Sequence, residues 1–188
     1  MSSIITDSKL SLIEALMGAP DNLAPLKIIS QLDLLEVQYW SFDHQVHQGQ
    51  LVVHKKLKEI FKAIFAELFA LKFPIEKIIP ISKFDGNDEL SMLANNSSAF
   101  NYRFIKGTKT LSQHAYGLAV DINPRQNPWL KAGDDSQPVQ AVYNPELIGT
   151  LTADCEAVNV FKKYGFTWGG DWLMERGYVD YQHFEYRG

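Results

Sequence analysis

His114 and Asp121 lie seven residues apart in SQHAYGLAVD, and Asp180 and His183 lie three apart in DYQHFE near the end of the chain. Gly117, between the first pair, permits a sharp backbone turn. His114 on a loop and Asp121 at the end of an apolar strand can therefore reach one ion. Asp121 closes the compact run Leu118 to Ile122, where a carboxylate needs either solvent or a positive partner. A ligand from a separate strand, His183, would complete the set. Two nitrogens and one oxygen, with a fourth position left open, match a catalytic zinc site rather than a structural one. The chemistry such a site supports is hydrolysis by activated water.

Taken singly, these residues also have ordinary readings. A lone histidine is far more often structural than a ligand, Asp121 can cap a turn, and Asp180 can pair with Arg187. Glu185 competes with Asp180 as the working carboxylate. In an extended strand, residues two apart share a face and residues three apart do not. Strict alternation thus puts Glu185 beside His183, and Asp180 faces the site only if the chain bends there or belongs to the preceding loop. His44, His47 and His54 stand in no comparable constellation and read as hairpin and helix-surface residues.

The elements that must position these groups follow from periodicity. Residues 8–17 allow a short helix, after which Gly18, Pro20 and Pro25 break the chain. Residues 1–30 are read as an N-terminal extension and residues 31–188 as one domain. Val37 to Val53 alternates around Gln48-Gly49 and predicts a hairpin turning there. Leu57, Ile60, Phe61, Ile64, Phe65 and Leu68 then form the stripe of an amphipathic helix over 54–71. Ile75 to Ile81 has the β-branched content of a buried strand. A short helix is expected over 88–95, a strand carrying Arg103 over 100–105, and a loop over 106–110. The Pro-, Gly- and Asn-rich stretch 123–145 predicts a long loop. Thr152 is the expected N-cap of a helix running to about Tyr164, stopped by Gly165. VDYQHFEY alternates like a closing strand. The fold class is α+β: a small antiparallel sheet flanked by helices, with the zinc site on the sheet face.

Composition narrows the function further. With 46% hydrophobic residues the chain can bury a core, and it has no apolar run long enough to span a bilayer. A net charge of −4 provides no field for gathering phosphate, so nucleic acid is an unexpected partner. Cys155 is the only cysteine, which excludes an internal disulfide and a thiolate zinc site. Met1 to Pro20 does not read as a secretory leader, because Asp7 and Lys9 interrupt its apolar residues and no basic segment precedes them.

SQHAYGLAVDINP and GFTWGGDW…DYQHFEY resemble the zinc peptidases that include D-alanyl-D-alanine carboxypeptidases, vancomycin-resistance D,D-dipeptidases and the L-alanyl-D-glutamate endopeptidases of phage endolysins. The resemblance covers roughly residues 95–186, with FNYRF preceding the motifs. It implies a fold like that of the D,D-peptidases and the related hedgehog signalling domain, Zn2+ held by His114, Asp121 and His183, and Asp180 as general base. Asp at that place is similar to the endolysin-like L,D-endopeptidase branch, whereas the D,D-dipeptidase branch has Glu. Arg103 is implied as the arginine that polarises the scissile carbonyl or holds a substrate carboxylate, its ordinary alternative being a salt bridge to Asp85 or Asp88. Ser112, Gln113, Tyr116 and Trp168 are expected to contact substrate, with Trp129 and Trp172 as further cleft aromatics. The implied substrate is a stem peptide of bacterial peptidoglycan, which places the action at the cell wall or periplasm. The rivals are a D-alanyl-D-alanine carboxypeptidase and a non-catalytic zinc or cell-wall-binding module of the same fold.

Overall fold

The structure is a computed structural model that describes residues 4–17 and 24–187. Gly18 and Pro20, read as chain breaks, lie outside the described residues. The chain begins with β1 (Ile5–Thr6) and α1 (Leu12–Leu16). Ser11 starts α1 by accepting from the Glu14 amide while the Glu14 carboxylate accepts from Ser11 N–H, a reciprocal cap that satisfies two otherwise orphaned donors. After α2 (Leu26–Ile29) come the two long strands of the hairpin, β2 (Leu32–Trp40) and β3 (Val46–His54).

The hairpin forms as expected, but its turn lies at 41–45 and not at Gln48-Gly49. Ser41 N–H donates to Gln45 O, and His44 takes the left-handed conformation at φ 63°. Gly49 sits within β3 opposite Val37. A β-carbon there would fall 2.3 Å from the backbone oxygen of Ile78, so this glycine serves a close crossing of two chains and not a turn. Both faces of the hairpin are covered. Leu35, Val37, Leu51 and Val53 join the main core, while Leu32 and Val52 pack with Ala15 and Phe100 on the other side. The described part of the segment read as an extension is tied to the hairpin, with Ala15 on this second face. β1 pairs in parallel with β3, and Asp7 accepts from the Tyr39 hydroxyl and lies 2.9 Å from His47 Nδ1.

α3 (Lys58–Ala70), entered through a 3-10 turn at Lys55–Leu57, buries Phe61, Ile64, Phe65 and Leu68 along one stripe. The buried strand expected over 75–81 shrinks to β4 (Lys77–Ile78), because Pro74 and Pro80 flank it and cannot donate to a ladder. Ile75, Ile78 and Ile81 are buried nonetheless. α4 (Asp88–Leu93) starts at Asn87, whose side chain accepts from Leu90 N–H, and leads into β5 (Asn96–Ser97), parallel to β4. Residues 100–105 do not form the expected strand. Their backbone is engaged with the segment around His114 instead: Asn101 N–H donates to His114 O, and Ser112 N–H donates to Arg103 O.

The second half supplies β6 (Ala119–Asp121), β7 (Trp129–Lys131), α5 (Glu156–Lys163), β8 (Phe166–Trp168), α6 (Leu173–Arg176), β9 (Tyr178–Asp180) and β10 (His183–Tyr186). The long loop after Asp121 is interrupted by β7, which pairs with β9. α5 starts at Cys155 and not at Thr152, whose hydroxyl donates to Asp154 and whose carbonyl accepts from Cys155 N–H.

The fold is thus α+β, with the strands divided among the described residues into the sheets β1-β3-β2, β6-β10-β8, β4-β5 and β7-β9. Aromatic packing backs the β6-β10-β8 sheet. Phe184 stacks on Phe161 with centroids 3.9 Å apart, and Phe166 meets Phe61 and Phe161 edge-on, which anchors α3 and α5 behind β10 and β8. No described helix is long and apolar enough to cross a membrane.

Two measurements check this architecture. Gly49→Ala should lower stability by about 1–3 kcal/mol, read from the urea midpoint, since overpacking of a buried crossing costs that much; an exposed turn residue would change it by no more than about 0.5 kcal/mol. For His47, burial disfavours charge, but hydrogen bonds to Asp7 and Asp43 outweigh it and raise the imidazole pKa. A raised folded pKa gives stability that is fully present below the unfolded value and lost as pH rises through the folded one. His47→Gln should therefore lower the melting temperature at pH 5.5 more than at pH 9.

Candidate metal centre

Asp121 and His183 are direct cross-strand partners in the antiparallel pair β6–β10, which puts their side chains on one face of the sheet. Alternation along β10 sends Phe184 into the core and turns His183 and Glu185 to the opposite face. His114 arrives from a 3-10 turn, Gln113–Tyr116, that Ser112 caps by accepting from His114 N–H and that Gly117 ends at φ 65°. The turn docks on the hairpin through a hydrogen bond from His54 N–H to Gly117 O. Asp121 is fixed from its other side as well, exchanging backbone hydrogen bonds with Ser98.

The three side chains are buried and offer ligand atoms that all lie within 4.8 Å of one another. His114 Nε2 is 3.0 Å from His183 Nδ1 and 3.2 Å from Asp121 Oδ2, and His183 Nδ1 is 3.0 Å from Asp121 Oδ1. Ligands bound tetrahedrally at zinc distances stand about 3.3 Å apart, so the separations fit one small cation. Tautomers support the same reading. His114 Nδ1 is 2.6 Å from the carbonyl of Ala99, and His183 Nε2 is 3.3 Å from Glu185 Oε2. If each imidazole donates outward to these acceptors, both inward nitrogens are bare lone pairs facing each other and a carboxylate. Only a cation or added protons make that arrangement favourable. The charge balance agrees. Burial disfavours a charged His183, yet hydrogen bonds to Asp121 and Glu185 push it up to about 10. Burial likewise opposes ionisation of Asp121, but His114 and His183 hold it well below the usual carboxylate range.

Asp180 ends β9, and the chain bends at Tyr181-Gln182 before β10 begins. That bend breaks the alternation which would have turned Asp180 away from His183. Asp180 Oδ1 is buried with no protein hydrogen-bond partner. Burial raises this carboxyl to about 6, against the positive influence of His183, which leaves it able to take up and release a proton near neutrality. Glu185 is committed elsewhere. Its Oε1 accepts from Arg187 at 2.6 and 2.9 Å and from Arg176 at 3.3 Å.

Residues 106–186 match the family described as D-alanyl-D-alanine carboxypeptidase. No curated protein and no solved structure matches the chain. The peptidase match contains His114, Asp121, Asp180 and His183 and bears out the resemblance read from the two motifs. It supports a peptidase hydrolase of the metallopeptidase type, while zinc is suggested by the buried cluster.

The remaining expected site residues divide. Arg103 lies just before the matched segment and forms an ion pair with Asp88, Nε to Oδ2 3.1 Å, the ordinary alternative considered for it. Ser112 is buried as the cap of the His114 turn, while Gln113 is exposed and Tyr116 half-buried on the same turn. Trp168 belongs to the core and donates from Nε1 to Tyr181 O. Trp172 packs against the His183 ring, centroids 5.2 Å apart, and Trp129 lies opposite Asp180 across β7–β9. Sequence reading missed the Ala99 carbonyl, which has no side-chain signature. The two-residue spacing did put Glu185 beside His183, but as a competitor for the working carboxylate and not as a partner of the imidazole.

Purified protein should carry one zinc per chain by metal analysis, and His114→Ala, Asp121→Ala and His183→Ala should each remove most of it. A His114→Ala protein with undiminished zinc would show that the metal sits elsewhere.

Proposed function

We propose that the protein is a zinc metallopeptidase hydrolysing a peptide bond of bacterial cell-wall peptidoglycan, of the L-alanyl-D-glutamate or another L,D-endopeptidase type. The observation that carries this reading is a buried His-Asp-His cluster with a separate buried carboxylate beside it, Asp180, one of whose oxygens has no protein partner. A binding module needs the three ligands but no such base. The proposed substrate is the stem peptide, and the place of action is the cell wall or periplasm. The β6-β10-β8 sheet with helices behind it is read as the D,D-peptidase and hedgehog type of arrangement.

Zinc, when bound by His114, Asp121 and His183, supplies a Lewis acid that polarises a carbonyl and makes water more acidic. Asp180 accepts a proton from the attacking water at its carboxylate and later delivers it to the leaving amine. Trp172 covers one side of His183, which limits access of bulk water to that ligand.

The runner-up, a D-alanyl-D-alanine carboxypeptidase, has the description of the matched family in its favour. Such an enzyme must hold the terminal carboxylate of its substrate, and the positive charge of Arg103 is already paired with Asp88. The endopeptidase reading asks for no such contact. Asp at position 180, in place of Glu, points the same way through the resemblance.

Digestion of purified peptidoglycan followed by mass analysis should release fragments with a new amino terminus on D-glutamate. Free D-alanine as the sole product would instead establish the carboxypeptidase. Asp180→Ala should lower kcat by about 10²- to 10⁴-fold, as loss of general acid–base catalysis does, with zinc content unchanged. Hydrolysis at the parent rate by that variant would sink the assignment of the base.

A further inference from the structure

His183 is the ligand whose orientation the backbone alone leaves undecided. Its ring can present either nitrogen to the sheet face, and only Nδ1 lies against Asp121 and His114. Three contacts decide the matter. Glu185 Oε2 stands 3.3 Å from Nε2, on the same face of β10 two residues along. Trp172 closes the side of the ring at a centroid distance of 5.2 Å. Arg176 lies over Trp172, its guanidinium carbon 3.7 Å from the ring centroid, and also reaches Glu185 Oε1 at 3.3 Å.

Glu185 is nearly buried, with 9% of its surface exposed. A carboxylate so placed is unfavourable unless its oxygens are satisfied. Here they are, by Arg187 and Arg176 on Oε1 and by the His183 ring on Oε2. Two arginines against one carboxylate exceed what a simple surface ion pair requires. The second oxygen is thereby left directed at Nε2.

We propose that Glu185 is a positioning residue of the metal centre: held by Arg176 and Arg187, it accepts the Nε2 proton of His183 and so fixes Nδ1 as the metal-binding nitrogen. Partners of this kind orient a metal-ligating imidazole and raise its basicity, and their loss commonly weakens metal binding about 10- to 100-fold. The inference rests on reading His114, Asp121 and His183 as a zinc site. It assigns Glu185 a task distinct from that of Asp180, since Glu185 stands on the far side of the ring from the other ligands.

The test is zinc affinity by chelator competition on the full chain, for the parent, Glu185→Gln, Glu185→Ala and Asp180→Ala, with long-range nitrogen NMR of the His183 ring in the same samples. The expected result is a 10- to 100-fold weaker affinity for Glu185→Ala, with Asp180→Ala close to the parent. The parent ring should show a protonated Nε2, and Glu185→Ala a mixture of tautomers. Glu185→Gln keeps the shape, so it provides the readout if the alanine variant does not fold, and its amide oxygen should retain part of the affinity. Parent-like affinity and an unchanged tautomer in both variants would overturn the role of Glu185 while leaving the metal site intact. A parent protein that takes up no zinc would overturn the metal reading itself, and this inference with it.

Discussion

Two imidazole nitrogens and a carboxylate face one another at 3.0–3.2 Å inside the protein, and most of the second half of the chain serves to hold them there. Without a positive charge between them, three lone-pair donors at such distances in a buried setting repel. The surrounding structure keeps them together all the same. Asp121 and His183 are clamped as a cross-strand pair, Ser98 holds the backbone of Asp121 from the other edge, and the Ala99 carbonyl fixes the His114 ring. This is preorganisation: the groups are placed by packing and secondary structure, so a ligand need not order them on arrival.

The rigidity comes from behind the sheet. Phe184 lies between His183 and Glu185 in sequence but points the other way, into a stack with Phe161 that ties β10 to α5 and, through Phe166 and Phe61, to α3. Truncating such a buried aromatic typically costs about 3–5 kcal/mol. The hairpin contributes by a different route, since the turn carrying His114 hangs on it through the His54–Gly117 hydrogen bond. The first hundred residues, which lie outside the matched family segment, thus supply much of the scaffold on which the centre is built.

Two carboxylates near His183 have been given opposite surroundings. Burial opposes a charged Glu185, but hydrogen bonds from His183 and Arg187 hold it down to about 2. Asp180, beyond the bend at Tyr181-Gln182, has a buried oxygen without a partner and is raised to about 6 by burial. Environments that push two acids apart in this way separate a fixed structural charge from a group able to exchange protons.

Residue types and motif spacing pointed to the His-Asp-His cluster, the α+β class and the main amphipathic helix, because each depends on local periodicity or on side chains with few alternative chemistries. The stripe over Leu57 to Leu68 could hardly be anything but a buried helix face. Tertiary structure decided the rest where non-local backbone contacts override local preference. Gln48-Gly49 has the composition of a turn, yet Gly49 is required in mid-strand by the crossing of Ile78. Residues 100–105 have the composition of a strand, yet their hydrogen bonds go to the segment around His114. Asp180 and Glu185 were open competitors, since strand alternation favoured Glu185, and only the folded chain shows the bend between Asp180 and β10 that ends this alternation. Arg103 looked available until folding set it against Asp88. A sequence shows which groups can do chemistry, but which of them remain without a partner depends on what the folded chain brings beside them.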